Sequence, residues 1–265
     1  MNLTEKKMFD ILDDLKKNHG AVSVKAEFEA EGTRTEELLR LLDIARRAQM
    51  KIALKIGGCE AVRDLIEAKQ FGVDYIIAPM VETPYALEKY IEAKNRIFDD
   101  SDRSDVTFLV NIETKTGFDN CEDICAIAAR PDAIKGIVFG RVDYAGSLGL
   151  ALDSVDNNKI TADCKIVAEK CKERNLDFVV GGGVSSYAIK ALKIIKESHL
   201  SRFETRKIIF SASSLSDDNL KAGLLKAVHF ELLWLLNKRD YYSLITKEDD
   251  KRIKMLDSRW KLLNR

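Results

Sequence analysis

The side chains able to do chemistry fall in short clusters along the chain, each closing a β-branched run. Glu27, Glu29 and Glu31 come first, then Lys55 in Lys55-Ile-Gly-Gly, then Glu82 and Thr83 behind Pro79-Met-Val. Asn111-Ile-Glu113-Thr114, Gly140-Arg141-Val-Asp143, Gly181-Gly-Gly-Val-Ser185-Ser186 and Ser211-Ala-Ser213-Ser214 follow. Carboxylates can move protons or hold a cation, lysine and arginine can hold anionic oxygens, and glycine turns can expose backbone N–H groups. Gathered in one place, these groups make a site for a charged small molecule.

The order of the elements supplies that gathering. Strand-like runs at 21–30, 51–56, 75–80, 106–112, 133–140, 177–181 and 207–212 alternate with stretches such as TEELLRLLDIARRAQ, whose apolar residues recur at three and four. Strand starts recur about every 31 residues, the length of a βα unit. SLGLALDSVDNNKI, in the longest interval, reads as an insertion after the fifth strand. Such alternation predicts a parallel sheet covered by helices, either open or closed. The strand faces decide between them. Val22, Val24, Ala26 and Phe28 oppose Ser23, Lys25, Glu27 and Glu29; Ile52 and Leu54 oppose Ala53 and Lys55; Val110 and Ile112 oppose Asn111 and Glu113. An open sheet wants two apolar faces. A barrel turns the polar faces inward, with Glu27 and Glu29 near Lys25 and Lys55. The expectation is therefore α/β: a (β/α)8 TIM-type barrel with seven strands readable, one domain over 1–265. A helix precedes it over 1–19, and 219–265 forms a C-terminal helical extension. In such barrels the C-terminal strand ends form the active-site rim, where the clusters meet.

Composition narrows the function. The 43 basic and 43 acidic side chains cancel, which argues against a nucleic-acid or anionic-membrane partner. No apolar run approaches the ~20 residues that span a bilayer, and the start MNLTEKKMFDILDDLKK is charged and helical, unlike a secretory signal. Cys59, Cys121, Cys125, Cys164 and Cys171 lack paired CxxC spacing, so neither zinc nor a disulfide framework is expected and a reducing cytoplasm fits best. His19, His199 and His229 each fall in or beside a helix and read as solvated or core residues.

NIETKTG (111–117), FGRVDYAGSLGL (139–150) and APMVETP (78–84) resemble the strand-end motifs of the HpcH/HpaI aldolase and citrate lyase family, in order from about residue 24 to 150. The resemblance implies a pyruvate-binding barrel in which Glu113 and Asp143 hold a divalent cation that chelates a 2-oxo acid. Two carboxylates on neighbouring strand ends suit Mg²⁺ or Mn²⁺. Three departures stand out against the family pattern. No histidine follows EFEAEGTR, Lys55 stands where an arginine is usual, and Arg141 stands where a proline is usual. The expected activity is a metal-dependent carbon–carbon lyase acting on a pyruvate-like 2-oxo acid or related carboxylate. Lys55, Gly140 and Arg141 would hold the substrate, and Glu29 or Glu31 would accept the proton. Alternatives are a Schiff-base aldolase using Lys55 and a barrel that binds a metabolite without turnover. The run at Gly182 and Gly183 reads equally as an anion-binding turn or as a tight turn that only needs glycine.

LLKAVHFELLWLLNKRDYY is apolar over more of a helix than one barrel face can cover. A homo-oligomer, a dimer or larger, with 219–265 at its interface is expected, and loss of 240–265 should weaken it.

Overall fold

Eight strands close into a barrel in chain order. They are β1 (Ala21–Glu27), β2 (Lys51–Lys55), β3 (Tyr75–Ala78), β4 (Thr107–Ile112), β5 (Gly136–Gly140), β6 (Asp177–Gly181), β7 (Arg202–Glu204) and β8 (Ile208–Ser211). This computed structural model describes residues 1–263, so the last two residues of the expected interface segment lie outside the described residues. The early helices are α1 (Leu3–Asn18), α2 (Thr35–Arg47), α3 (Val62–Phe71), α4 (Pro84–Ile97), α5 (Asp100–Asp105), α6 (Lys115–Asp119) and α7 (Cys121–Ala128). Then come α8 (Arg141–Ser147), α9 (Asn158–Glu173), α10 (Ile189–Ser198) and α11 (Leu220–Leu263). The insertion after β5 is α8 and a 3₁₀ turn at Leu152–Asp156. No helix among the described residues is long and apolar enough to cross a membrane.

The inward and outward strand faces follow the expected parity except at Val22, which packs against the inner cluster where the β1–β8 register shifts. Val24, Ala26, Ile52, Leu54, Val110 and Ile112 join the core beneath the helices. Ala53, Ile77, Leu109, Val138, Val179 and Ile209 form a separate plug inside the barrel. Below it, the Tyr75 ring lies 5.4 Å from Lys51 Nζ and 5.0 Å from the Arg202 guanidinium. Above it the inward side chains become charged.

The barrel closes with the eight strands expected, but the direction of the last one differs from the sequence reading. β7 is an eighth strand, and only β1 through β7 run parallel; β8 is antiparallel to both β7 and β1. The connection from β7 to β8 is only 205–207, far too short for a helical crossover, so the chain must return as a hairpin. Thr205 closes it, donating its N–H to the Ile208 carbonyl at 2.9 Å and accepting the Ile208 N–H on Oγ1 at 3.0 Å. The reversal puts Arg206 at the mouth. It sends Ser211–Ser214, expected at the rim, to the opposite end of the barrel. There the Ser211 N–H donates to the Gly20 carbonyl at 2.9 Å, just before β1 begins. The C-terminal extension is one continuous helix of 44 residues.

Candidate active site

The charged ends of the inward faces enclose a cavity of about 470 Å³ at the mouth. β1 contributes Lys25 and Glu27, β2 Lys55, β4 Asn111, β5 Gly140, β6 Gly181 and β7 Glu204. Glu29 enters from the bend after β1, Glu113 from the residue past β4, Asp143 from α8 and Arg206 from the β7–β8 turn. Val228 and Glu231 of α11 complete the wall.

Lys25 sits deepest. Its Nζ lies 2.6 Å from Glu204 Oε1 and 3.0 Å from Glu27 Oε1. Burial alone would push this amine down, but Glu204 and Glu27 outweigh it and hold it above its ordinary value. Glu27 shows the converse. Burial pushes its carboxyl up, yet Lys25, Lys55 and Arg206 keep it below the usual range. Arg206 reaches Glu27 Oε2 at 3.3 Å and so pins the β7–β8 turn to β1.

Glu113 is 2% exposed. Oε1 accepts the Met80 N–H at 3.0 Å, and Oε2 accepts from Asn111 Nδ2 at 2.7 Å. Met80 adopts a φ of 53° there, a costly conformation for a non-glycine residue that aims its N–H at the carboxylate. Lys55 Nζ stands 3.6 Å from Glu113 Oε2 and 3.3 Å from Glu29 Oε2. Burial raises the Glu113 pKa against the pull of Lys55, Asn111 and the Met80 N–H, and the Asp143 charge raises it further. Glycine is required at position 140, because a Cβ would lie 2.5 Å from Glu113 Oε2.

These residues fit a divalent cation. Ionising Glu113 is opposed by burial and by Asp143, and a cation between the two carboxylates relieves both. The buried Asn111 Oδ1 has no hydrogen-bond partner among the described residues, which adds a third hard oxygen. No group of three or more His, Cys, Asp or Glu side chains that could hold a metal occurs among the described residues. Two carboxylates are what Mg²⁺ commonly takes from a protein when substrate and water complete its shell.

The other expected site residues divide. Gly182 and Gly183 line the cavity, whereas Arg141 and Glu31 do not. Arg141 is 1% exposed and donates to the Gly181 carbonyl at 3.3 Å, the Gly182 carbonyl at 2.7 Å and Asp156 Oδ1 at 2.6 Å. It braces the glycine turn from behind. Gly182 has a φ of 79°, and a Cβ there would lie 2.6 Å from the Val142 nitrogen. Close backbone packing therefore accounts for this glycine. Glu31 pairs with Lys207, whose ammonium lies 5.7 Å from the Trp234 ring. No histidine lines the cavity. His19 meets Asp14 and Lys226, His199 bonds the Leu176 carbonyl, and His229 is exposed. Lys25, Glu204, Arg206 and Glu231 belong to the cavity without having been expected as functional residues. Only Lys25 carried a signal, through its parity with Glu27.

The model of the HpcH/HpaI aldolase/citrate lyase family matches residues 19–184. No curated protein matches the sequence. An HpcH/HpaI aldolase from Desulfitobacterium hafniense DCB-2 superposes with a TM-score of 0.59 at 10% identity, over 75% of this chain and 82% of that one. The citrate synthase SbnG gives 0.60 at 17%, over 88% and 90%. An HpcH/HpaI aldolase/citrate lyase family protein from Burkholderia cenocepacia J2315 gives 0.61 at 14%, over 88% and 91%. At such identities the superpositions establish the fold.

Proposed function

The chain belongs to the HpcH/HpaI aldolase/citrate lyase family, and from that premise we propose that it is a carbon–carbon lyase of aldolase type acting on a pyruvate-like 2-oxo acid or related carboxylate. The carrying observation is the meeting of Glu113, Asp143 and Lys55 in one cavity at the barrel mouth. Glu113 and Asp143 would hold Mg²⁺ or Mn²⁺. When bound, such an ion supplies Lewis acidity that takes up charge on the substrate oxygens as the bond breaks. Lys55, seated between Glu29 and Glu113, offers a fixed ammonium to the substrate carboxylate. That seat suits a charge clamp better than a Schiff-base nucleophile, which must be a free amine. Glu29 orients the ammonium toward the cavity. The turn at Gly182 and Gly183, braced by Arg141, shapes another part of the cavity wall.

Calorimetric titration with Mn²⁺ tests the metal assignment. Glu113→Gln and Asp143→Asn should each abolish binding without lowering the melting temperature, and unchanged affinity in both variants would overturn it. Cleavage of 4-hydroxy-2-oxo acids, followed by pyruvate release in the presence of Mg²⁺, tests the reaction class. Wild-type protein should release pyruvate; failure across acids of varied length would overturn the lyase reading.

A further inference from the structure

Aldol cleavage needs a group that takes a proton from the substrate hydroxyl, and most carboxylates of the cavity are already committed. Glu27 is paired with Lys25 and Arg206, Glu204 with Lys25, and Glu29 with Lys55. Glu113 is held by Lys55, Asn111 and the Met80 N–H. Protonating Glu27, Glu29 or Glu204 would take an ion-pair partner from a lysine, and Glu113 is assigned to the cation, so none of the four is free for the task. Two cavity carboxylates have neither a hydrogen bond nor an ion pair among the described residues: Asp143 and Glu231. Asp143 is accounted for by the cation.

We propose that Glu231, presented by α11, is the general acid–base of the site. It takes the hydroxyl proton as the carbon–carbon bond breaks and returns it to the enolate carbon of the released 2-oxo acid. This assignment rests on the lyase reading above. The step balances without a co-reactant. The O–H pair becomes the carbonyl π bond of the aldehyde, and the cleaved C–C pair passes to the carbon next to the 2-oxo group. The proton held by Glu231 then joins that carbon, leaving the carboxylate ionised for the next cycle.

Three observations support it. Glu231 lies one helical turn from Val228, and both line the cavity, so α11 turns one face to the mouth there. Phe230, Leu233 and Trp234 are buried around it, which fixes the helix against the barrel. Burial raises the Glu231 pKa, Arg206 and Lys207 oppose the rise, and Glu31 and Glu27 add to it. The net upward shift moves the group toward the range where a carboxylate both accepts and gives protons.

Hydrogen–deuterium exchange of the pyruvate methyl group in D₂O, with full-length protein and Mg²⁺, reads the second proton transfer alone. Wild-type protein should exchange it along an acid limb set by Glu231. Glu231→Gln should slow exchange by about 100-fold or more, abolish that limb and keep Mn²⁺ affinity and melting temperature, while Glu231→Asp recovers part of the rate. Exchange in Glu231→Gln within threefold of wild type would overturn the assignment and leave the lyase reading standing. Absence of exchange in wild type would overturn both.

Discussion

Lys25 places one positive charge at the centre of the barrel, facing carboxylates that come from β1 and from β7. All three side chains are buried, so the cluster holds only while its charges balance. Lys25→Met should cost roughly 3–5 kcal/mol, because it leaves the buried Glu204 without its ion-pair partner, next to a Glu27 that keeps only Arg206 and the charge of Lys55. Glu27 also fixes the pH dependence. Its carboxyl is held below the ordinary value of 4.5, so its stabilising share is present above that value and lost as pH falls through the lowered one. The deficit of Lys25→Met should therefore be full at pH 7 and shrink in acid; urea melts at both pH values would check it. A deficit that stays constant into acid would show that packing, not charge, is what Lys25 supplies. Half of this cluster was legible. Parity along β1 places Lys25 beside Glu27 inside the barrel, but nothing local marks Glu204 as their partner.

Why Glu204 escaped notice is a matter of element length. β7 has three residues, one of them apolar, which is too little for a period-two pattern to declare itself. The spacing from β6 to β8 fits a single βα unit, yet it contains α10, a strand and a hairpin turn. Strand direction leaves no mark in composition, so the reversal of β8 becomes visible only once the brevity of 205–207 is known. Glu113 and Asp143 stand out as rim candidates because each follows an apolar run closely. Glu113 lies one residue past β4 and Asp143 three past β5 within α8, and their pairing comes from the family resemblance. Arg141 shows how type can be read correctly and role missed. It lies at the rim by position, but its fork is spent on two carbonyls of the glycine turn and on Asp156, which ties β6 to the inserted 3₁₀ turn. Lysine cannot span those acceptors. Arg141→Lys should therefore cost roughly 1.5–3 kcal/mol and raise the exchange rate of the 181–184 amides. Thermal melts with amide exchange would measure both, and an unchanged exchange rate would remove the bracing role.

At the scale of the molecule, α11 is too long for the barrel it serves. At about 1.5 Å per residue it extends roughly 65 Å. Its first half is anchored: Leu220, Leu224, Ala227, Phe230 and Leu233 are buried, and Asn237 accepts from the Asn2 side chain at 2.7 Å. The last tie to α2 is the Tyr242 hydroxyl, which donates to Glu37 Oε1 at 2.7 Å. From Leu244 to Leu263 every residue is exposed. Ile253, Leu256, Trp260 and Leu263 recur there at three and four, and Leu225, Leu232 and Leu235 form an outward stripe on the anchored half. Beside it, Leu3, Arg40, Trp234, Tyr241 and Leu244 line a groove of about 550 Å³. Burying one leucine is worth about 1.5–3 kcal/mol, so leaving these side chains in water forgoes several times the stability of a typical contact. Zero net charge offers no long-range repulsion to keep two copies apart. The expected state is a homo-oligomer, a dimer as its simplest closed form, with α11 at the interface. Deleting 244–265 keeps Tyr242 on Glu37 and the anchored half on α1, so the barrel should stay folded while the assembly weakens. Light scattering of both forms at micromolar concentration reads the result. A stable full-length monomer would overturn the assembly, and an oligomer untouched by the deletion would move its interface to the anchored half of α11.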